Sequence, residues 1–218
     1  MKNKDDRTIP GYVVDVLFLE EMTQIQIRYI RGILEILASY MLLTTEMLYE
    51  LYERNYGEKL HLQFLKKAVQ TTLVIEYHYD LGQKSECKTY FYALNGPGYH
   101  ALDRDNIQYR KYRFMSAYEE KSQIITANRY FIDNKYVPDI KFPIPLSKNL
   151  KFFYALNSEK QRIVAYLPAL VSQAAVEEYF AKSDIKESLD NITYEQITTE
   201  LIPFGFYTKA THPKDVLV

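Results

Sequence analysis

Between residues 29 and 94 the spacing of apolar side chains changes period, and that change restricts the folds open to this chain. From Tyr29 to Tyr40, Ile30, Ile33, Leu34 and Leu37 recur three and four residues apart, the spacing of one helix face. Met41-Leu42-Leu43 is a short apolar bridge. Thr44 is suited to cap a second helix through Glu46 to Tyr52, which Asn55-Tyr56-Gly57 ends. A third helix is expected from about Glu58 to Gln70. The pattern then turns strand-like, with β-rich runs at Leu73 to Tyr79 and Lys88 to Leu94 around an Asp80–Lys84 turn. Asn95-Gly96-Pro97-Gly98 breaks the chain, and Tyr99 to Leu102 starts another short helix. The order is helix, helix, helix, hairpin, helix.

The rest of the chain reads differently. Met115 to Asn134 has the pattern of a long helix, with Tyr118, Ile124, Ile125 and Phe131 as candidate inward residues. Pro138, Pro143 and Pro145 punctuate the next segment. Leu150 to Leu156 and Arg162 to Leu167 look like strands, and Pro168 is suited to open a helix through about Lys182. Thr193 to Leu201 is expected to be helical and Phe204 to Tyr207 a strand. The expected fold class is α+β, an N-terminal winged helix-turn-helix domain followed by a small mixed α/β C-terminal domain. The boundaries are an extension at 1–24, the winged-helix domain at 25–113, a connecting helix at 114–134 and the α+β domain at 135–218.

Net charge is −1, so affinity for a polyanion has to come from a local patch. The middle of the chain supplies one. Residues 54–113 carry ten Lys/Arg against six Asp/Glu, whereas residues 1–53 carry five against nine. On a wheel of about 100° per residue, Lys59, Gln63, Lys66, Lys67 and Gln70 fall on one side of the third helix. Leu60, Leu62, Phe64, Leu65, Ala68 and Val69 fill the other. An ordinary solvated face interleaves Glu with Lys, and this one does not. Lysine neutralises phosphate and donates to guanine, and glutamine can make two hydrogen bonds to adenine. Lys84 and Lys88, at the hairpin tip, would reach the adjacent backbone. Together these residues are candidate contacts to double-stranded DNA.

Other chemistries find less support. The seven glycines argue against Gly-rich phosphate loops. The one cysteine, Cys87, excludes an internal disulfide and a Cys-based zinc cluster, and its expected hairpin position between Glu86 and Lys88 does not suit a nucleophile. His61 falls on the apolar side of the third helix and is expected to be a partly buried core histidine. His78, His100 and His212 are isolated, so no metal site and no cofactor are expected. Tyr77, Tyr79, Tyr90, Phe91 and Tyr92 have the pattern of cross-strand packing more than of a base-stacking platform. No stretch approaches the about 18 apolar residues of a membrane span. The polar start and the interruption of Val13–Leu19 by Asp15 do not fit a signal peptide. A cytoplasmic protein is expected.

The run from Tyr29 to Leu102 resembles the winged-helix domain of the replication-relaxation family of plasmids and phages. LLTTEMLYELY (42–52) looks like the family's second helix, and LQFLKKAVQTTLV (62–74) like its recognition helix entering the first wing strand. KTYFYALNGPGYHAL (88–102) looks like the second wing strand followed by a Leu-Thr-x-x-Gly-type turn, with Asn95 in place of the usual Thr and Gly98 as the glycine. SAYEEKSQIITANRYFIDN (116–134) sits where the family has a helix with an embedded Asn, here Asn128. The resemblance covers a little over half the chain. It implies that Lys59, Gln63, Lys66, Lys67 and Gln70 face DNA, with Lys84 on the wing.

The C-terminal part departs from the family's pattern. Pro138-Asp139 is present, but KFFYALN and RIVAYLP carry none of the acids that a nuclease core needs to hold a hard cation. Asp/Glu-x-Lys triplets at Glu86, Glu119, Asp133, Asp139 and Asp184 are too frequent to single out a site. The leading expectation is a DNA-binding regulator of replication or transcription, not an enzyme, pairing as a homodimer across a two-fold site. Its C-terminal domain would mediate oligomerisation or binding of a protein partner, and no membrane is involved. An adaptor that keeps the scaffold without binding DNA is the alternative. An enzyme with Asp139 as metal ligand is the third.

Overall fold

Thr23 and Thr44 begin the first two helices among the described residues by the same device, a threonine hydroxyl accepting from a backbone N–H three residues on. In the computed structural model, which describes residues 22–80, 88–103, 118–138, 152–182, 192–197 and 209–211, Thr23 accepts from the Gln26 N–H at 3.3 Å and the Gln26 side chain accepts from the Thr23 N–H at 2.9 Å. This closes a capping box on α1, Gln24–Tyr40. Met41, with φ of 66°, turns the chain out of the helix into β1, Leu42–Thr44. Thr44 then caps α2, Thr45–Tyr56, by accepting from the Met47 N–H at 3.2 Å. Gly57 ends α2 with φ of 70°, a conformation open to glycine. The third helix, α3, spans Leu62–Gln70.

The hairpin comes at once after α3. Strands β2, Val74–Asp80, and β3, Lys88–Leu94, are antiparallel in a register running from Val74 opposite Leu94 to Asp80 opposite Lys88. Strand β1 pairs antiparallel with β3, with Leu42 opposite Ala93 and Thr44 opposite Phe91. The apolar bridge at 41–43 is thus largely strand, three residues long and too short to carry a period of its own. Helix α4, Gly96–Asp103, begins where the Asn95 carbonyl accepts from the Tyr99 N–H at 3.1 Å. Gly98 is required there, since a Cβ would meet the Leu73 carbonyl oxygen at 2.2 Å. That oxygen also accepts from the Asn95 N–H at 3.0 Å.

Helix α5, Tyr118–Asp133, packs on β1 and α2. Ile124, Ile125 and Phe131 are buried as expected, while the side chain of Tyr118 lies outside the described residues. Buried Asn128 donates from Nδ2 to the carbonyl oxygens of Tyr40 and Leu42, each at 2.7 Å, so one amide spans the Met41 turn. The Lys121 ammonium lies over the Tyr77 ring of β2 at 4.5 Å, and burial lowers its pKa.

A second four-stranded sheet has the order β4-β5-β6-β7, from Val137–Pro138, Phe152–Leu156, Arg162–Tyr166 and Ile192–Gln196. Pairing is antiparallel except for β6 with β7, which is parallel, with α6, Gln173–Lys182, between them in sequence. Two expectations are corrected. Residues 193–196 are strand where a helix was expected, because β6 offers them a ladder that local sequence does not reveal. Pro168 does not start α6; Ser172 does, its hydroxyl accepting from the Ala175 N–H at 3.3 Å. Residues 204–207 lie outside the described residues.

Along β5 the side chains alternate between two apolar clusters. Phe153 and Ala155 join the larger one, and Phe152 and Tyr154 join a smaller one with Val164, Tyr166, Val176 and Phe180. Burial on both faces explains why the strand reads as a continuous apolar run. The larger cluster includes residues of α1, α2, α3, both hairpin strands, α5, β5 and β6. The protein is of mixed α+β class, with six helices and two sheets among the described residues. Strand β8, Lys209–Thr211, returns to pair with the outer edge of β2, with His78 opposite Thr211.

Candidate nucleic-acid interface

Helix α3 is anchored by aromatic stacking. Phe64, Leu65 and Ala68 are buried. The Phe64 ring stacks on Tyr29 of α1 at 4.2 Å, and Tyr29 stacks on Tyr52 of α2 at 5.7 Å. This column fixes the rotation of α3 and so decides what its other side presents. Gln63, Lys66 and Gln70 are exposed and Lys67 is half-buried. At the C-terminus the Thr71 hydroxyl donates to the Lys67 carbonyl at 2.9 Å, and the Leu73 N–H to the Ala68 carbonyl at 3.1 Å, coupling α3 tightly to β2.

Three details differ from expectation. The helix starts at Leu62, not near Glu58, so Lys59 stands exposed in the segment before it. His61 occupies the N-cap position and is exposed, not partly buried in the core, with its ring 6.0 Å from Tyr29 and 6.1 Å from Phe64. Leu62, assigned by the wheel to the apolar side, is 48% exposed. A wheel extrapolated through Glu58–His61 treats irregular chain as helix, which misplaces His61; Leu62 lies only about 40° around the axis from Lys66 and so belongs at the edge of the lysine face.

Charge on this surface is uncompensated among the described residues. Glu58, the nearest acid in sequence, is engaged elsewhere: its Oε2 accepts from the Arg28 guanidinium at 3.1 Å and from the Tyr29 hydroxyl at 2.8 Å. The carboxylate in turn raises the pKa of the Tyr29 hydroxyl through that hydrogen bond. Among the described residues Lys59, Lys66 and Lys67 make no ion pair. The sequence gives no sign of Arg28 here; it lies in the acidic N-terminal segment, and only the fold brings it beside Glu58. Lys84 and Cys87 lie outside the described residues. Lys88 is set by register opposite Asp80 at the far end of the hairpin. The expectation for the hairpin aromatics as packing residues fits Tyr77, Phe91 and Tyr92, which are buried.

A separate cleft of about 310 Å³ lies between α1, α2 and β4, lined in part by Glu35, Ser39, Arg54, Tyr56 and Lys135. Its principal groups are already occupied. Tyr56 donates to Glu35 at 2.8 Å, Arg31 pairs with Glu35 at 2.9 Å, and Arg54 donates to the Ile132 carbonyl at 3.0 Å. No group of three metal-ligating side chains exists among the described residues, and Asp139 is outside them. No helix of the described residues is long and apolar enough to cross a membrane. Compared with known protein families, with curated proteins and with solved structures, the chain matches none.

Proposed function

We propose that this protein binds double-stranded DNA, with α3 in the major groove and the β2–β3 hairpin as a wing on the phosphate backbone. The observation that carries this reading is the pair Lys66 and Lys67, without an ion pair among the described residues, beside exposed Gln63 and Gln70 on one side of α3, with exposed Lys59 in the segment before it. The element order α1-β1-α2-α3-β2-β3, with β1 paired to β3, favours a winged helix-turn-helix. A regulator of replication or transcription accords with the resemblance of residues 29–102, and a homodimer on a two-fold site accords with the general habit of helix-turn-helix proteins. Lys84 and Lys88 belong to the proposed wing contacts.

The test is fluorescence anisotropy with random-sequence duplex at two salt concentrations. The expected result is binding that weakens steeply with salt. Lys66→Ala with Lys67→Ala should weaken it further and reduce the logarithmic salt slope by about 2, near one unit for each phosphate no longer neutralised. No binding at low salt would transfer the assignment to a protein-interaction adaptor on the same scaffold, and the next experiment would be to seek a protein partner.

A further inference from the structure

Leu62 occupies the first position of α3 and is 48% exposed. It stands about 40° around the helix axis from Lys66, one turn earlier, and is the immediate neighbour of exposed Gln63. A leucine left half in water beside this lysine face is not one of the buried residues of α3, which are Phe64, Leu65 and Ala68. Resting on the DNA-binding reading above, we propose that Leu62 reads the 5-methyl group of thymine, with Gln63 on adenine, so that the first turn of α3 selects an A·T pair.

The chemistry fits one base pair. In the major groove A·T presents the adenine N6/N7 donor–acceptor pair, which a glutamine amide matches, and the thymine methyl, which needs an apolar contact. The N-terminal residues of a groove-bound helix are those that meet base edges. Lys59 before the helix and Lys66 one turn along flank the pair with charge suited to phosphate.

The experiment enriches sites from a random duplex pool with the full chain. Enriched sites are then remade with deoxyuridine in place of thymidine, which deletes only the methyl groups. Wild-type binding should weaken about three- to fivefold for each methyl lost at one position per half-site, the scale of one buried methyl. Leu62→Ala should bind the thymidine site more weakly and show no methyl sensitivity, while its unfolding midpoint stays unchanged. Equal binding to both duplexes, or methyl sensitivity that persists in Leu62→Ala, overturns the proposal and leaves DNA binding standing. Salt-sensitive binding without enrichment of any site overturns it in the same way. Absence of salt-sensitive binding overturns this proposal and the DNA-binding reading together.

Discussion

Several single residues carry more of the architecture than their size suggests. Asn128 is the donor for two buried carbonyls on either side of Met41. Asn128→Ala leaves both acceptors without that donor and should lower stability by about 2–3 kcal/mol in urea unfolding. Gly98→Ala forces a methyl group onto the Leu73 carbonyl, and should destabilise through displacement of α4. Thr72, by contrast, sits with φ of 59° in the turn after α3, a costly conformation for a β-branched residue. Thr72→Asn should raise the unfolding free energy by about 0.5–1 kcal/mol, because asparagine tolerates that region. Asn128 is visible in the sequence only through a resemblance; the carbonyls it serves belong to α1 and β1, far along the chain.

At the scale of elements, what is legible in the sequence has a local cause. Thr44 and Gly57 bound α2 as expected, because caps and left-handed stops are written in single residues. The hairpin strands and the β5–β6 pair are legible from their β-rich runs. Elements whose cause is distant are not. Strand β1 exists because β3 lies beside it, and β7 because β6 does. The basic face is partly legible: Gln63, Lys66, Lys67 and Gln70 share a side of α3, but the helix begins at Leu62 and not near Glu58. The start matters to function, since it leaves Lys59 off the helix.

Over the whole molecule, tyrosine sets the alkaline limit. Burial is the largest cause raising Tyr40, Tyr56, Tyr92 and Tyr130, and it carries Tyr52 up to about 12. Glu195 adds to this by accepting from Tyr130 at 2.9 Å and from Tyr136 at 3.0 Å, joining α5 and the segment after it to β7. A tyrosine whose pKa is raised by folding binds its proton more tightly in the native state than in the unfolded chain. Its contribution is complete below about pH 10, the unfolded value, and is lost as pH rises through the folded value. Unfolding midpoints should therefore hold steady to about pH 9 and drop steeply above about pH 10. Glu195→Gln should move the absorbance titration of Tyr130 and Tyr136 to lower pH.

The pairing of β8 with β2 sets an order of events during synthesis. Residues 78–80 leave the ribosome long before residues 209–211, so the outer backbone groups of β2 wait for a partner that is made late. A nascent chain arrested at residue 208 would carry an open strand edge able to recruit a second chain. Light scattering of such a truncated protein should show higher assemblies than the full chain forms.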